Sequence, residues 1–321
     1  MTESQTPASL SAGVHDLSAE EYHADRMCAV PTLSSTLARL LLTRSPRHAW
    51  HASPRLNPDH DSIERKTFDI GRAAHRTVLG KGADYLAVPE DLLSDDGGIR
   101  TKAAKEWVAA RKEEGVTVLK PVEIEMIHDM AGEIMGRLSD MRITFPPGRS
   151  ELTAIGEIDG VICRAMIDHA PADPAAPLWD LKTTTDASMD AVQRTIMTYG
   201  YDTQAAHYTE TWKAATGEDR EFRFVFVEKD APHEVCVVQL GGDSMAMARK
   251  RTARAREMWA HCLRSGTWPG YPTGIVQMDM PDWYQARWLE RETTEADIRR
   301  STGRDALARS YDWQKPFHQE A

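Results

Sequence analysis

The chain lacks any apolar run able to cross a membrane. Nothing in its 321 residues approaches roughly 18 consecutive apolar positions, and its start, MTESQTPASLSAGVHDLSAEEY, has no basic segment leading into an apolar one. No membrane partner and a cytoplasmic location are therefore the expectation. It has only four cysteines, Cys28, Cys163, Cys236 and Cys262, widely spaced and without a C-x-x-C pair. That excludes a zinc knuckle or a disulfide framework. No G-x-x-x-x-G-K-[ST] stretch is present, so no built-in ATP motor is expected, and nothing repeats at a fixed period. Positive charge is also short. With 39 Lys and Arg against 49 Asp and Glu the net charge is -10, which argues against a protein that coats nucleic acid nonspecifically. A local basic track on an acidic enzyme stays compatible with it. What is there is 41% hydrophobic residues, enough to bury a real core in one large domain or two ordinary ones.

The periodicity divides the chain. The first 30 residues are polar and predict a loosely ordered segment, after which Leu33-Ser34-Ser35-Thr36-Leu37 through Leu42 predicts a serine-capped helix ending near Ser45-Pro46. Residues 53–62 read as a loop, and Lys66 to Leu79 as a helix with Phe68, Gly71, His75 and Leu79 at helical spacing. A helical insertion over about 100–140 comprises Lys102 to Glu114 and Pro121 to Leu138, separated by a short strand at Val116 to Leu119. Glu151 to Ile158, Val161 to Asp168 and Leu178 to Lys182 are strand-like. A long helix is expected from Asp190 to Thr216, then strands at Glu221 to Glu228 and Glu234 to Leu240, and a helix from Ser244 to Ser265. The expectation is an α/β fold with a central mixed sheet flanked by helices: one domain over 31–270, with a tail over 271–321 (Tyr271, Pro272, Trp283, Trp288) packing on it.

Asp159-Gly160 between two alternating runs predicts a hairpin with a type I′ turn. Counting outward from Ile158 opposite Val161 puts Glu151 directly opposite Asp168, with Val161, Cys163, Ala165 and Ile167 as the inward apolar set. Two carboxylates so placed repel unless a cation lies between them. Asp180 and Lys182 at i, i+2 share one face of the next strand. A lone D-x-K occurs by chance on many surface strands, where it is only an ion pair. Two acids ending neighbouring strands, a third acid opposite one of them and a lysine beside them match the layout of a metal-dependent phosphodiesterase.

Other residues are weaker signals. Gln204 and Tyr208 are at i, i+4 on one helical face, where the bland alternative is an amphipathic polar pair and the functional one holds a phosphate or the lysine. His75 follows Gly71 by one turn. A lone helical histidine is usually structural, but a glycine inside a helix costs about 1 kcal/mol relative to Ala and suggests close approach by something. A neutral imidazole there would complete a carboxylate site and suit Mn²⁺ as well as Mg²⁺. Tyr199 and Tyr201 read as packing residues, with base stacking as the alternative. The basic groups Arg249-Lys250-Arg251 with Arg254 and Arg256, and Arg39, Arg44, Arg47 and His48, read as solvated faces before DNA contacts. His169 and His207 flank the site without an assigned role.

In order, G-x-x-x-H, Glu, a strand ending in Asp, D-x-K and Q-x-x-x-Y resemble the PD-(D/E)XK nuclease superfamily, and within it the RecE-like exonucleases of exodeoxyribonuclease VIII type from phages and prophages. L-S-S-T-L-A-R-L-L-L-T-R-S-P, G-R-A-A-H, G-V-I-C-R-A-M-I-D, D-L-K-T-T-T-D-A-S and G-Y-D-T-Q-A-A-H-Y carry the likeness over about residues 33–210, and a later W-P-G-Y also fits. The resemblance implies His75, Asp168, Asp180 and the Leu181 carbonyl as ligands of Mg²⁺ or Mn²⁺, Lys182 as the catalytic lysine, and Glu151, Gln204 and Tyr208 as further site residues. Met166-Ile167-Asp168 departs from the family's more usual Arg-Pro-Asp but keeps the ligand. The cysteine set of the related iron-sulfur nucleases is missing, so no cluster is expected. The implied activity is 5′ to 3′ digestion of one strand from double-stranded DNA ends, leaving a 3′ overhang for a single-strand annealing recombinase. Some such enzymes form rings, which puts a homo-oligomeric ring among the expectations. The alternatives are a structure- or site-specific endonuclease of the same fold and a non-catalytic DNA-binding or assembly protein.

Overall fold

The turn at Asp159-Gly160 organises the sheet. In a computed structural model of the chain, which describes residues 9–60, 67–81, 85–114, 116–143 and 148–304, both turn residues adopt positive φ, 53° and 75°, as a type I′ turn requires. Residues 1–8, 61–62 and 305–321 and the side chain of Phe68, all part of the readings above, lie outside the described residues.

The N-terminal part corrects one expectation. Instead of a loose start, β1 (Gly13–His15) pairs antiparallel with the first hairpin strand, and α1 (Ala19–Ala24) is closed by a Ser18/Glu21 capping box. Tyr22, Met27 and Cys28 are buried against Ile155. Apolar residues dispersed among polar ones hid this packing. Next come α2 (Ser35–Thr43), capped by Ser34 as expected, and α3 (Pro46–His51), with proline in its first turn. α4 (Thr67–Leu79) leads to β2 (Tyr85–Ala87), α5 (Lys102–Glu113), β3 (Thr117–Leu119) and α6 (Pro121–Asp140). β2 and β3 form a separate parallel pair. The second helix of the expected insertion lays Ile127, Met130, Ile134 and Leu138 against sheet residues, so it is part of the core.

The hairpin strands are β4 (Gly148–Ile158) and β5 (Val161–Pro171), followed by β6 (Leu178–Thr184). The expected long helix from Asp190 to Thr216 is two helices, α7 (Met189–Tyr199) and α8 (Tyr201–Thr216), broken at Gly200. Gly200 is left-handed at φ 69°, and a Cβ there would lie 2.7 Å from Arg39 Cδ, so both conformation and space demand glycine. β7 (Phe222–Glu228), β8 (Val235–Gln239) and α9 (Gly242–Ser265) complete this part. The six-stranded mixed sheet runs β1-β4-β5-β6-β7-β8, with only β6–β7 parallel.

Both faces of the sheet are covered. α8 lies on Leu152, Ala154, Ala165 and Ile167, and it approaches β4 closely: a Cβ on Gly156 would sit 2.6 Å from Ala214 Cβ. On the other face α4 and α6 bury Ala73, Ala74, Met130 and Ile134 against Trp179, Leu181 and Val225. α2 and α9 meet through Leu37, Leu41, Ala255 and Trp259. The four cysteines are free thiols.

Contacts divide the chain into Met1–Gly270 and Tyr271–Ala321. Within the second unit α10 (Asp282–Thr302) has no buried residue, and Arg287 and Arg291 lie over the Trp283 and Trp288 rings. No helix among the described residues is long and apolar enough to cross a membrane.

Candidate active site

β5 and β6 pair antiparallel at His169 opposite Trp179, which brings the neighbouring Asp168 and Asp180 to the same end of the two strands. The pairing is short, and the Leu181 N–H donates to Asp168 Oδ2 at 2.9 Å. The carboxylate thus takes a backbone donor and keeps its place at the strand end. α4 seats Ala73 and Ala74 against Trp179 and Leu181, which delivers His75 to the same corner. Its Nε2 donates to the Leu181 carbonyl at 2.9 Å and lies 3.6 Å from Asp168 Oδ2. Gly71 is not explained by close approach, because a Cβ there would meet Thr183 Oγ1 at an ordinary 3.8 Å.

The hairpin register places Ser150 opposite His169 and Leu152 opposite Ile167. With no inserted residue between these pairs, Glu151 falls at the position facing Asp168. Its backbone is left-handed, φ 50°, a conformation that a glutamate adopts only under constraint from its surroundings. Burial raises the Glu151 carboxyl above its ordinary range and Asp168 adds to this, against the pull of His75.

Asp180 and Lys182 share a face of β6, with Nζ 2.5 Å from Asp180 Oδ2. Asp180 is 1% exposed. Gln204 Nε2 donates to its Oδ1 at 2.6 Å, whereas Oδ2 has no partner in hydrogen-bond geometry. The lysine satisfies it by charge and proximity, not by alignment. Burial, with the Asp168 charge, pushes the Asp180 carboxyl up to about 6, against Lys182 and His75. For the Lys182 ammonium burial acts downward, but Asp180 and Asp168 outweigh it and hold the group above its ordinary value. Nζ also lies 4.8 Å from the centre of the Tyr201 ring.

Gln204 therefore holds an acid, not the lysine. Tyr208 is buried and bonded to Ser35, and burial raises its hydroxyl well above the ordinary value. Asp168, Asp180, Lys182, Gln204 and Tyr208 line one cleft of about 740 Å³, closed on another side by Ser34, Ser35 and Thr36 at the start of α2 and by His51 and His60. A second cavity, of about 600 Å³, lies by Arg149, Trp212 and Arg220 and contains none of these residues.

The basic run on α9 is engaged elsewhere: Arg251 pairs with Asp202, Arg254 with Glu257, and buried Arg256 with Glu210 and Asp159. The sequence reading missed the contact of Tyr201 with Lys182 and of Ser35 with Tyr208. The first had a signal in the helix-breaking glycine of T-Y-G-Y-D. The second had none, since it joins segments far apart in the chain.

Two carboxylates, an imidazole and a carbonyl oxygen form a donor set for a hard or borderline divalent cation. His75 Nε2 lies 2.9 Å from the Leu181 carbonyl oxygen and 3.6 Å from Asp168 Oδ2, so one cation could take all three once the imidazole releases its Nε2 proton. Asp180 Oδ2 is a buried oxygen still lacking an aligned partner. Among the described residues no three His, Cys, Asp or Glu side chains already converge as a ligand cage, because Asp180 is turned to Lys182 and Gln204. The donor chemistry fits Mg²⁺ or Mn²⁺.

A mixed sheet with helices on both faces and an acid-acid-x-lysine corner defines a PD-(D/E)XK-type fold. The chain belongs to the family described as a PDDEXK-like domain of unknown function (DUF3799), whose model matches residues 44–278. A candidate exonuclease from Eubacterium rectale is similar in structure, with TM-score 0.53 and 12% identity, over 84% of this chain and 98% of that one. A phage-related exonuclease from Haemophilus somnus (TM-score 0.31, 10% identity, 74% and 96% covered) and an alkaline exonuclease from Laribacter hongkongensis (0.26, 14%, 60% and 95%) are more distant. No curated protein matches the chain.

Proposed function

We propose that the protein is a divalent-metal-dependent DNA exonuclease that hydrolyses one strand of linear duplex from its 5′ end and leaves a 3′ overhang for an annealing recombinase. The observation that carries the reading is the convergence of His75 Nε2, the Leu181 carbonyl, Asp168 and the Asp180-Lys182 pair at one corner of the protein. The E. rectale protein of the same fold, a candidate exonuclease, supports it. The polarity, the annealing partner and a homo-oligomeric ring rest on the RecE-like resemblance.

His75, Asp168, Asp180 and the Leu181 carbonyl would hold the cation, which when bound supplies Lewis acidity toward the scissile phosphate. The protein's own groups do the rest. Lys182 presents a protonated amine to the cleft, where it orients a water and stabilises negative charge on the phosphate oxygens. Gln204 fixes the Asp180 carboxylate that holds the lysine. Glu151, half-buried and carrying a raised carboxyl, would accept a proton in this reading. The Tyr208 hydroxyl stays protonated and serves only as a donor or acceptor.

End-labelled linear duplex incubated with Mg²⁺ tests the assignment, with digestion expected for the wild type and lost in Asp180→Ala and Lys182→Ala. Wild-type-like digestion by both variants would sink it. Covalently closed circular DNA should survive, and its cleavage would make the protein an endonuclease. Comparing 5′- and 3′-labelled duplex reads the polarity. Calorimetry with Mn²⁺ should show binding that weakens in Asp168→Asn, a readout independent of turnover.

A further inference from the structure

Tyr201 belongs to neither the acids nor the metal donors, yet its ring lies against the lysine they surround. We infer that Tyr201 is a positioning residue for Lys182, its ring face holding the ammonium where the cleft needs it. This rests on the reading of Lys182 as the catalytic lysine.

Nζ lies 4.8 Å from the ring centre, within the range at which an ammonium is attracted to the π face. The lysine side chain is 18% exposed, so water screens the contact only weakly. Lys182 needs such a second hold. Its contact with Asp180, Nζ to Oδ2 at 2.5 Å, holds the ammonium from one side only, and the ring supplies a second point that fixes it toward a water or a phosphate oxygen.

The ring is itself immobilised. It packs on Phe224 and Phe226 of β7, with centroids at 5.8 and 6.1 Å, and stacks on Tyr199 at 5.8 Å with 25° between planes. β7 is the parallel neighbour of β6, with Phe226 paired in register to Lys182 and Phe224 to Asp180. The aromatic column therefore stands beside the catalytic strand. The left-handed residue at Gly200 ends α7 and starts a new helix at Tyr201. One helix running unbroken through this point would not place Tyr201 as the first residue of the helix that also carries Gln204.

What the lysine uses is the ring, so the hydroxyl should be dispensable. Tyr201→Phe is expected to keep kcat within about twofold of the wild type, whereas Tyr201→Leu should lower kcat about tenfold or more with little change in KM for DNA ends. A spectroscopic reading keeps this separate from folding and from turnover. In ¹³C-lysine-labelled protein without metal or DNA, the Lys182 ε-methylene protons, assigned with Lys182→Arg, should be shifted upfield by the ring. That shift should persist in Tyr201→Phe and vanish in Tyr201→Leu. An unshifted Lys182 in the wild type overturns the inference, as does a Phe variant that loses as much kcat as the Leu variant. If the wild type digests no DNA, the nuclease reading fails, and the presence or absence of the shift still decides the contact.

Discussion

Two buried charge clusters sit on β5, only a few residues apart, and they are built on opposite plans. At Arg164 one buried cation meets one buried anion: Nη1 lies 2.6 Å from Asp25 Oδ1, and Thr32 donates to both Asp25 oxygens, from its hydroxyl at 2.6 Å and its backbone at 3.2 Å. That cluster ties the N-terminal segment to the strand. Four residues on, Asp168, Asp180 and Glu151 gather carboxylates in excess of Lys182 and His75. A neutral, hydrogen-bonded pair keeps its burial cost bounded, whereas a surplus of like charge is tolerated only where function needs it. Imbalance marks the site more sharply than burial does.

The largest effect should come from discharging the unbalanced cluster. Asp180→Asn should lower nuclease activity roughly hundred- to thousandfold and should flatten the fall in unfolding free energy that the wild type shows as pH rises through 6. The sign follows from the carboxyl being raised to about 6: its favourable contribution to folding is complete below the ordinary value near 3.8 and is lost as pH rises through 6. At neutral pH the charged form weighs against the fold, so a variant whose unfolding free energy still falls over that interval would contradict the contrast. The balanced cluster should respond in reverse. Asp25→Ala, which strands Arg164 in the interior, should cost about 3 to 5 kcal/mol in urea unfolding. A loss under about 1 kcal/mol would show that the pair is not holding the segment.

Between the clusters, buried His207 contacts the Arg164 carbonyl at 3.0 Å through Nε2, and burial holds its ring down to about 4. Because the folded value lies below the unfolded one near 6.5, its contribution is complete above 6.5 and is lost as pH falls toward 4, by about 3 kcal/mol in all. His207→Gln keeps a donor for the carbonyl and should flatten the unfolding free energy over that interval. An unchanged slope would place the titration elsewhere. The smallest effect belongs to Gly200→Ala, which should cost about 1 to 2 kcal/mol for the left-handed residue, measured as a shift in urea midpoint. No shift would mean that the helix break is not enforced at this position.

Much of the site's spine was legible because it is local. The I′ turn at Asp159-Gly160 set the strand register by counting, which holds at Ser150 opposite His169 and Leu152 opposite Ile167, while Glu151 between them leaves the strand conformation at φ 50°. Asp180 and Lys182 sharing a face required only a strand. The Ser34 cap and the boundaries of β7 and α9 were likewise visible in short-range patterns. The N-terminal segment escapes a sequence reading because Tyr22, Met27 and Cys28 are spaced without helical or strand period, and their burial depends on Ile155, Ile162 and Met166 far along the chain as well as on Leu10 and Leu17. The single long helix from 190 to 216 was misread because apolar spacing continues across Gly200, and one glycine within a helical pattern costs too little to force a break by itself. The break is held as a left-handed residue with Arg39 packed where a Cβ would sit, a contact between distant segments.

The sequence by itself determined the hairpin, the register of the acids and the pairing of Asp180 with Lys182, since each depends on residues within one turn or one strand of another. Only the tertiary structure decided that His75 meets the Leu181 carbonyl, that Gln204 grips Asp180 instead of the lysine, and that Tyr201 faces Lys182. These contacts join separate elements across the sheet, and no local periodicity encodes them. They arise from how α4 and α8 pack on its two faces.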